Sequence, residues 1–265
     1  MWLNEETPIS KRDLLLEKPF INSAGTLGFA PDPHSMPFLS KLGAFITNPI
    51  SLQPRVPASN RACLPFPGGF LLHTGLPNPR INRGIARFKN RWAGAPLPVI
   101  IHLLVETPES LAGMVRMLEG LENVMGVALG LPPGCTLQLL SQFMEAAFGE
   151  LPIILCLNPE QIPVLRESLS DINPNALHLT EPRGTLPDGA GRLISGRLYG
   201  PGIFPLMLNA AEQLIRTGHR LIVNGGIYDK SHADILLTMG VTAVGLGSIL
   251  WKINPEDTDE FFQNL

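Results

Sequence analysis

Charge is scarce in this chain. Only 16% of its 265 residues are charged and the formal net charge is −3. That balance supplies no basic field to hold nucleic acid or an anionic membrane surface. Long apolar runs are missing as well, since no segment approaches the roughly 18 uninterrupted apolar residues of a membrane span. The opening MWLNEETPISKRDLLLEKP is too charged for a secretory leader, so the expected compartment is the cytoplasm. Cysteine is nearly absent. Cys63, Cys135 and Cys156 are odd in number and far apart, which excludes a C-x-x-C redox pair or a zinc ribbon and fits a reducing environment. No metal site is expected.

What is plentiful is apolar residues, at 45%, together with 26 glycines and 26 prolines. This is ample for a large core, and the turn formers are scattered rather than gathered into a linker. Eight apolar runs read as strands: 20–24, 44–47, 99–104, 126–131, 153–157, 176–180, 220–223 and 242–246. They are continuous rather than alternating, as strands buried on both faces are. Amphipathic helical stretches lie between most of them. SLAGMVRMLEGL (110–121) follows Thr107 as N-cap and Pro108 at the first helical position; LQLLSQFMEAAF spans 137–148. FPLMLNAAEQLIRT (204–217) and the stretch 231–239 end at Gly218 and Gly240. Eight strand–helix alternations with short links predict a single (β/α)₈ barrel, one domain over residues 1–265. Residues 49–78 lack helical pattern and read as a long loop after the second strand, of the kind that usually carries function.

The strongest local signals end the last two strands, LIVNGGI (221–227) and VGLGSI (244–249). In β/α barrels the loops after strands seven and eight commonly cradle phosphate on backbone N–H groups, and bare glycines let the oxygens approach. Gly225, Gly226, Gly247 and Ser248 are therefore candidate phosphate ligands; the other reading is that these glycines only allow tight turns and crowded packing.

Several blocks, in order and spacing, resemble the flavin-dependent dihydroorotate dehydrogenases. They are KPFINSAGTLGF (18–29), LGAFITNPISLQPR (42–55), GGFLLHTGLPNP (68–79), GRLYGPGIFP (196–205) and the two glycine strand ends. The resemblance covers nearly the whole chain. It implies FMN at the C-terminal ends of the strands, with Ser23, Ala24, Gly25, Asn48, Cys156 and Gly200 joining the glycines and Ser248 as cofactor-binding positions. It also implies oxidation of a CH–CH bond in a small substrate, as in pyrimidine biosynthesis, and admits a homodimer. Asn78, His102 and His178 are the candidate substrate contacts.

The departures from that pattern fall on the flavin ring and the substrate. The family's lysines map onto Asn48 and Cys156, its proton-abstracting residue onto Pro133, and its substrate asparagines onto Gly130 and Leu72. The asparagine of the sixth strand end has no counterpart in LHLTEPRG. Proline cannot abstract a proton, so dihydroorotate oxidation at a useful rate is not expected. Cys135, as a thiolate, and His73, as a proton donor, are the candidate substitutes. Each has a plainer reading, as an inert small apolar residue and as an ordinary loop histidine. Glu181 and Arg183 either hold a polar ligand or form a solvated turn. Arg197 and Tyr199 replace smaller residues and are placed to narrow or fill the flavin phosphate site. The alternative to a flavoenzyme is a barrel that has lost redox chemistry and binds a phosphate-bearing ligand or a protein partner.

Overall fold

The computed structural model describes residues 13–253 and 257–263. Most of the segment read above for a leader, residues 1–12, lies outside them. In chain order the strands are β1 (Phe20–Asn22), β2 (Phe45–Ile46), β3 (Ala62–Phe66), β4 (Gly69–His73), β5 (Val99–Leu104), β6 (Val124–Gly130), β7 (Ile153–Leu157), β8 (Ala176–Leu179), β9 (Arg183–Pro187), β10 (Leu193–Tyr199), β11 (Leu221–Asn224) and β12 (Ala243–Leu246). The helices are α1 (Ile81–Ala93), α2 (Pro108–Leu118), α3 (Leu137–Ala146), α4 (Ile162–Leu165), α5 (Leu169–Ile172), α6 (Phe204–Ile215), α7 (Lys230–Thr238) and α8 (Thr258–Gln263).

Eight strands form one parallel sheet in the order β1-β12-β11-β8-β7-β6-β5-β2. These are the eight apolar runs, and the sheet is a (β/α)₈ barrel. Every seam but one is a parallel ladder, with a register shift at Val99–Ile100 between β5 and β6. Between β1 and β2 the ring closes through the parallel bridge Ile21–Ala44 and a side chain. Asn22 Oδ1 accepts from the Ile46 N–H at 2.7 Å, and Asn22 Nδ2 donates to the Ile46 carbonyl at 2.8 Å. An amide side chain thus presents the donor and acceptor that a third backbone strand position would supply.

Alternation along the strands separates two buried clusters. Ile21, Ile46, Ile100, Ile154 and Ile222 fill the ring, with Ala44, Ala128, Ala176 and Ala243 beside them. Their neighbours in sequence, such as Val99, Ile101 and Leu103, face the helical layer. Large and small residues share the interior, as a closed eight-stranded ring requires. Among the helices, α2 begins at Thr107, which accepts from the Ser110 N–H in a capping box, and α3 begins at Thr136, whose hydroxyl accepts from the Leu139 N–H.

Three differences from the sequence reading concern function. Residues 49–78 are not a long loop: they hold the hairpin β3–β4. That hairpin joins β9 and β10 in a second, antiparallel sheet of order β3-β4-β10-β9, which stands beside the mouth of the barrel. The block 196–205 correspondingly begins as the end of strand β10, to Tyr199, and then turns through Gly200 and a 3₁₀ turn, Pro201–Ile203, into α6. After β12 the chain enters only a short 3₁₀ turn, Ser248–Lys252, and not an α-helix.

Candidate functional site at the barrel mouth

Stepping two residues along each strand from the apolar ring reaches the next inward-facing layer, because the side-chain period of a strand is two. That layer consists of Ser23, Asn48, His102, Gly130, Cys156, His178, Asn224 and Gly245. It is polar, lies at the C-terminal strand ends, and is capped by Glu181, Arg197 and Tyr199. The two glycines in it make room for neighbours. A Cβ at Gly130 would come within 2.6 Å of His102 Nε2, and one at Gly245 would collide with the Asn224 side chain.

One half of the mouth, over β1, β8, β11 and β12, is closed. Ser23 Oγ donates to Glu181 Oε1 at 2.5 Å, and Asn224 Nδ2 donates to Ser23 Oγ at 3.0 Å. The Tyr228 and Ser248 hydroxyls are 2.5 Å apart. A cavity of about 10 Å³ remains, bounded by Gly200, Gly225, Gly226, Gly247 and Glu181. The glycines have structural work here. A Cβ on Gly226 would meet Phe204 Cα at 2.5 Å, and one on Gly200 would strike the Gly68–Gly69 backbone. Gly225 is packed by side chains, since a Cβ there would meet Ile203 Cδ1 and Met207 Cγ at 3.2 Å and Glu181 Cγ at 3.4 Å, whereas Gly247 turns its bare face to Glu181 Oε1 and Ser23 Cβ, each 3.7 Å from a Cβ. A flavin phosphate does not fit this cradle as folded. The space holds roughly one water molecule, and its wall is a carboxylate that would repel a phosphate dianion.

The other half, over β5, β6 and β7 and beneath the antiparallel sheet, is an open pocket of about 590 Å³. This is ample for a small organic ligand. Leu72, Leu104, Leu131 and Pro132 make its walls apolar, and Arg55, Arg183 and Arg197 bring cations to it. Arg55 is paired with Glu106 at 3.8 Å near the rim. Arg197 lies deeper, with its side chain 18% exposed and 3.7 Å from Glu181 Oε2.

Burial sets the protonation states of the inner layer. It lowers His178 to about 4, helped by the nearby Arg197 cation, and it pushes the Cys156 thiol up to about 12. Burial, and after it Arg197 and His178, lowers His102 well below the ordinary histidine range. Both histidines are therefore neutral at pH 7. Burial alone would also lower Arg197, but Tyr199 and Glu181 beside it hold its guanidinium above the usual value. Six buried side-chain atoms have no hydrogen-bond partner among the described residues; four of them sit in this layer, both His102 nitrogens, His178 Nε2 and Asn224 Oδ1, and a fifth, Glu181 Oε2, in the cap above it.

The positions singled out in the sequence scatter across these two halves. Ala24, Gly25, His73 and Cys156 line the open pocket, and His73 Nε2 contacts Asn60 Oδ1 at 3.2 Å. Gly200, Gly225, Gly226, Gly247 and Ser248 bound the closed cradle, where no anion-sized space remains. Five candidates have surroundings other than those the sequence suggests. Cys135 does not reach the pocket; its thiol contacts the Thr136 carbonyl at 3.6 Å, and burial raises its pKa, away from a thiolate. Asn78 is buried scaffolding whose Oδ1 accepts from the Ser51 and Arg80 N–H groups, at 3.2 and 3.1 Å. His102 and His178 are wholly buried beneath the floor rather than exposed to a substrate; His178 Nδ1 contacts Cys156 Sγ at 3.7 Å. Asn48 ties down the loop before it, accepting from the Gly28 N–H at 3.0 Å. Glu181 matters more than the sequence suggests, because its partner Ser23 is 158 positions away.

No family model matches the chain. Two relatives are catalytic subunits of dihydroorotate dehydrogenase B (NAD(+)). That of Pelobacter propionicus is 27% identical and aligns with 99% of this chain and 93% of its own length. That of Trichlorobacter lovleyi is 25% identical over 95% of this chain and 90% of its own length. In three dimensions the chain is similar to a dihydroorotate dehydrogenase from Eimeria tenella in complex with ferulenol. The TM-score is 0.75 at 12% identity, covering 99% of this chain and 85% of that one, which shows the shared fold.

Proposed function

We propose that this chain, a divergent member of the dihydroorotate dehydrogenase-like barrel family, forms one domain over residues 1–265 that binds a small molecule in the open pocket without flavin redox chemistry. The observation that carries the reading is the division of the mouth. The half that would hold a flavin phosphate is packed with the protein's own side chains, while the half under the antiparallel sheet keeps about 590 Å³. The residues that would serve the chemistry of dihydroorotate oxidation point the same way. Pro133 stands where a base is needed, and the Cys156 thiol, held at about 12, replaces a cation. Arg55 and Arg197 already face Glu106 and Glu181, so Arg183 is the pocket cation that favours a ligand with a negative charge.

A second reading is an FMN-dependent oxidoreductase acting on a CH–CH bond of a small substrate. What favours it is the name carried by the relatives and the retention of Gly225, Gly226 and Gly247. On that reading the cradle opens to admit the phosphate, and the chain works in the cytoplasm on a pyrimidine-like acid, as a homodimer. The two are separated by the visible spectrum of the purified protein and by titration of FMN followed through quenching of flavin fluorescence. Colourless protein with no saturable quenching supports the first reading. Flavin that copurifies, or quenching that saturates at one equivalent, rejects it.

A further inference from the structure

We infer that Glu181 is a built-in anion, whose carboxylate occupies the phosphate cradle and keeps latent an anion site that the bare glycines and Arg197 would complete. Four observations meet at this side chain. It is 1% exposed, although a carboxylate is rarely buried without a compensating partner. It lies across Gly247, where a Cβ would find only Glu181 Oε1 and Ser23 Cβ, each at 3.7 Å, and beside Gly225, whose face it shares with Ile203 and Met207. Its Oε1 accepts from Ser23 Oγ, a hydroxyl that would serve a phosphate oxygen equally well. Its Oε2 has no hydrogen bond and faces the Arg197 guanidinium at 3.7 Å, beyond hydrogen-bond reach.

The arrangement has the donors of an anion site and one internal anion that satisfies them incompletely. A phosphate brings three or more acceptor oxygens where Glu181 brings two, and the second of these is unspent. Truncating Glu181 therefore removes the obstruction and leaves Arg197, a half-buried cation at the edge of the open pocket, without its partner. An uncompensated, partly buried charge destabilises the fold, so an anion supplied from solution should return what the truncation removed.

This inference rests on the reading that the native protein holds no flavin, and its test is run with inorganic phosphate. Thermal unfolding of Glu181→Ala is followed in 50 mM potassium phosphate against potassium chloride of equal ionic strength, with the wild-type chain alongside. Phosphate should raise the midpoint of Glu181→Ala by about 5 °C and that of the wild type by less than about 1 °C. Glu181→Gln keeps the space filled and should respond no more than the wild type. Glu181→Ala/Arg197→Met opens the space without the cation and should lose most of the response. Equal midpoints in the two salts for Glu181→Ala overturn the inference, as does a response that survives removal of Arg197. A Glu181→Ala chain that stays unfolded in both salts also overturns it, because phosphate was to replace the missing charge. None of these outcomes touches the small-molecule reading of the open pocket, which fails only on flavin binding by the unaltered chain.

Discussion

The two halves of the barrel mouth are built from the same layer of strand-end residues and differ in what covers them. Over β11 and β12 the covering groups are Glu181, Tyr199 and Tyr228, and they leave about 10 Å³. Over β5 to β7 the cover is the antiparallel sheet of β3, β4, β10 and β9, which stands off and leaves about 590 Å³. The contrast teaches that conserving a backbone frame and conserving a binding site are separate matters. Gly226 and Gly200 are required by Phe204 and by the Gly68–Gly69 backbone whether or not a phosphate ever enters. A glycine pattern can thus outlast the ligand that it would cradle.

The sharpest way to break the comparison is to strip the closed half of its charge pair. Glu181→Ala should cost about 3–5 kcal/mol in urea unfolding, because it strands Arg197. Glu181→Met/Arg197→Met should recover most of that loss, since well-packed apolar replacements of a buried pair are often neutral. A single variant as stable as the wild type would mean that the closed half is not held by this pair.

A second break uses pH. His178 is held at about 4 against an ordinary 6.5, so between those values the unfolded chain binds a proton that the folded chain refuses. Stability is then full above about pH 6.5 and falls as the pH drops toward 4, by roughly 3 kcal/mol from this residue. Below the folded value the loss stops growing. Chemical unfolding of wild type and His178→Asn at pH 7 and pH 4.5 checks this, with the variant expected to lose distinctly less.

The smallest effect sharpens the comparison from the open side. Arg183 lies at the pocket with an exposed side chain, and Arg183→Ala should change stability by no more than about 0.5 kcal/mol. A loss comparable to that of Glu181→Ala would show that the open half is as tightly organised as the closed one.

The barrel was legible because its strands are short apolar runs, VIIHLL and IILCL among them, separated by stretches of helical period. The hairpin β3–β4 was not. ACLPF carries a proline and alternates half-buried with exposed positions, so it shows neither an apolar run nor a clean core face. Helix α1 was passed over because INRGIARFKNRWA is rich in arginine and lysine, although Ile81, Gly84, Phe88 and Trp92 are buried at helical spacing. Within the site, the possibility that Arg197 and Tyr199 fill the phosphate position was visible from their size alone. The closure itself was not, because it depends on Ser23, Glu181 and Asn224 meeting from three distant strand ends. The lost base at Pro133 needed no structure, since a missing functional group is a property of composition at one position.

The seam between β1 and β2 carries a consequence for how the ring comes apart. Elsewhere each strand is sewn to its neighbour by a main-chain ladder, but here a main-chain bond from the Gly43 N–H to the Phe20 carbonyl and the bridge Ile21–Ala44 are completed by one asparagine acting as a clasp on Ile46. Asn22→Ala should therefore weaken this join before the other seven. The clasp residue is followed by Ser23, whose hydroxyl pins Glu181, so the join and the closed half of the mouth are held by consecutive residues. The rim of the barrel and its stopper share a fastening.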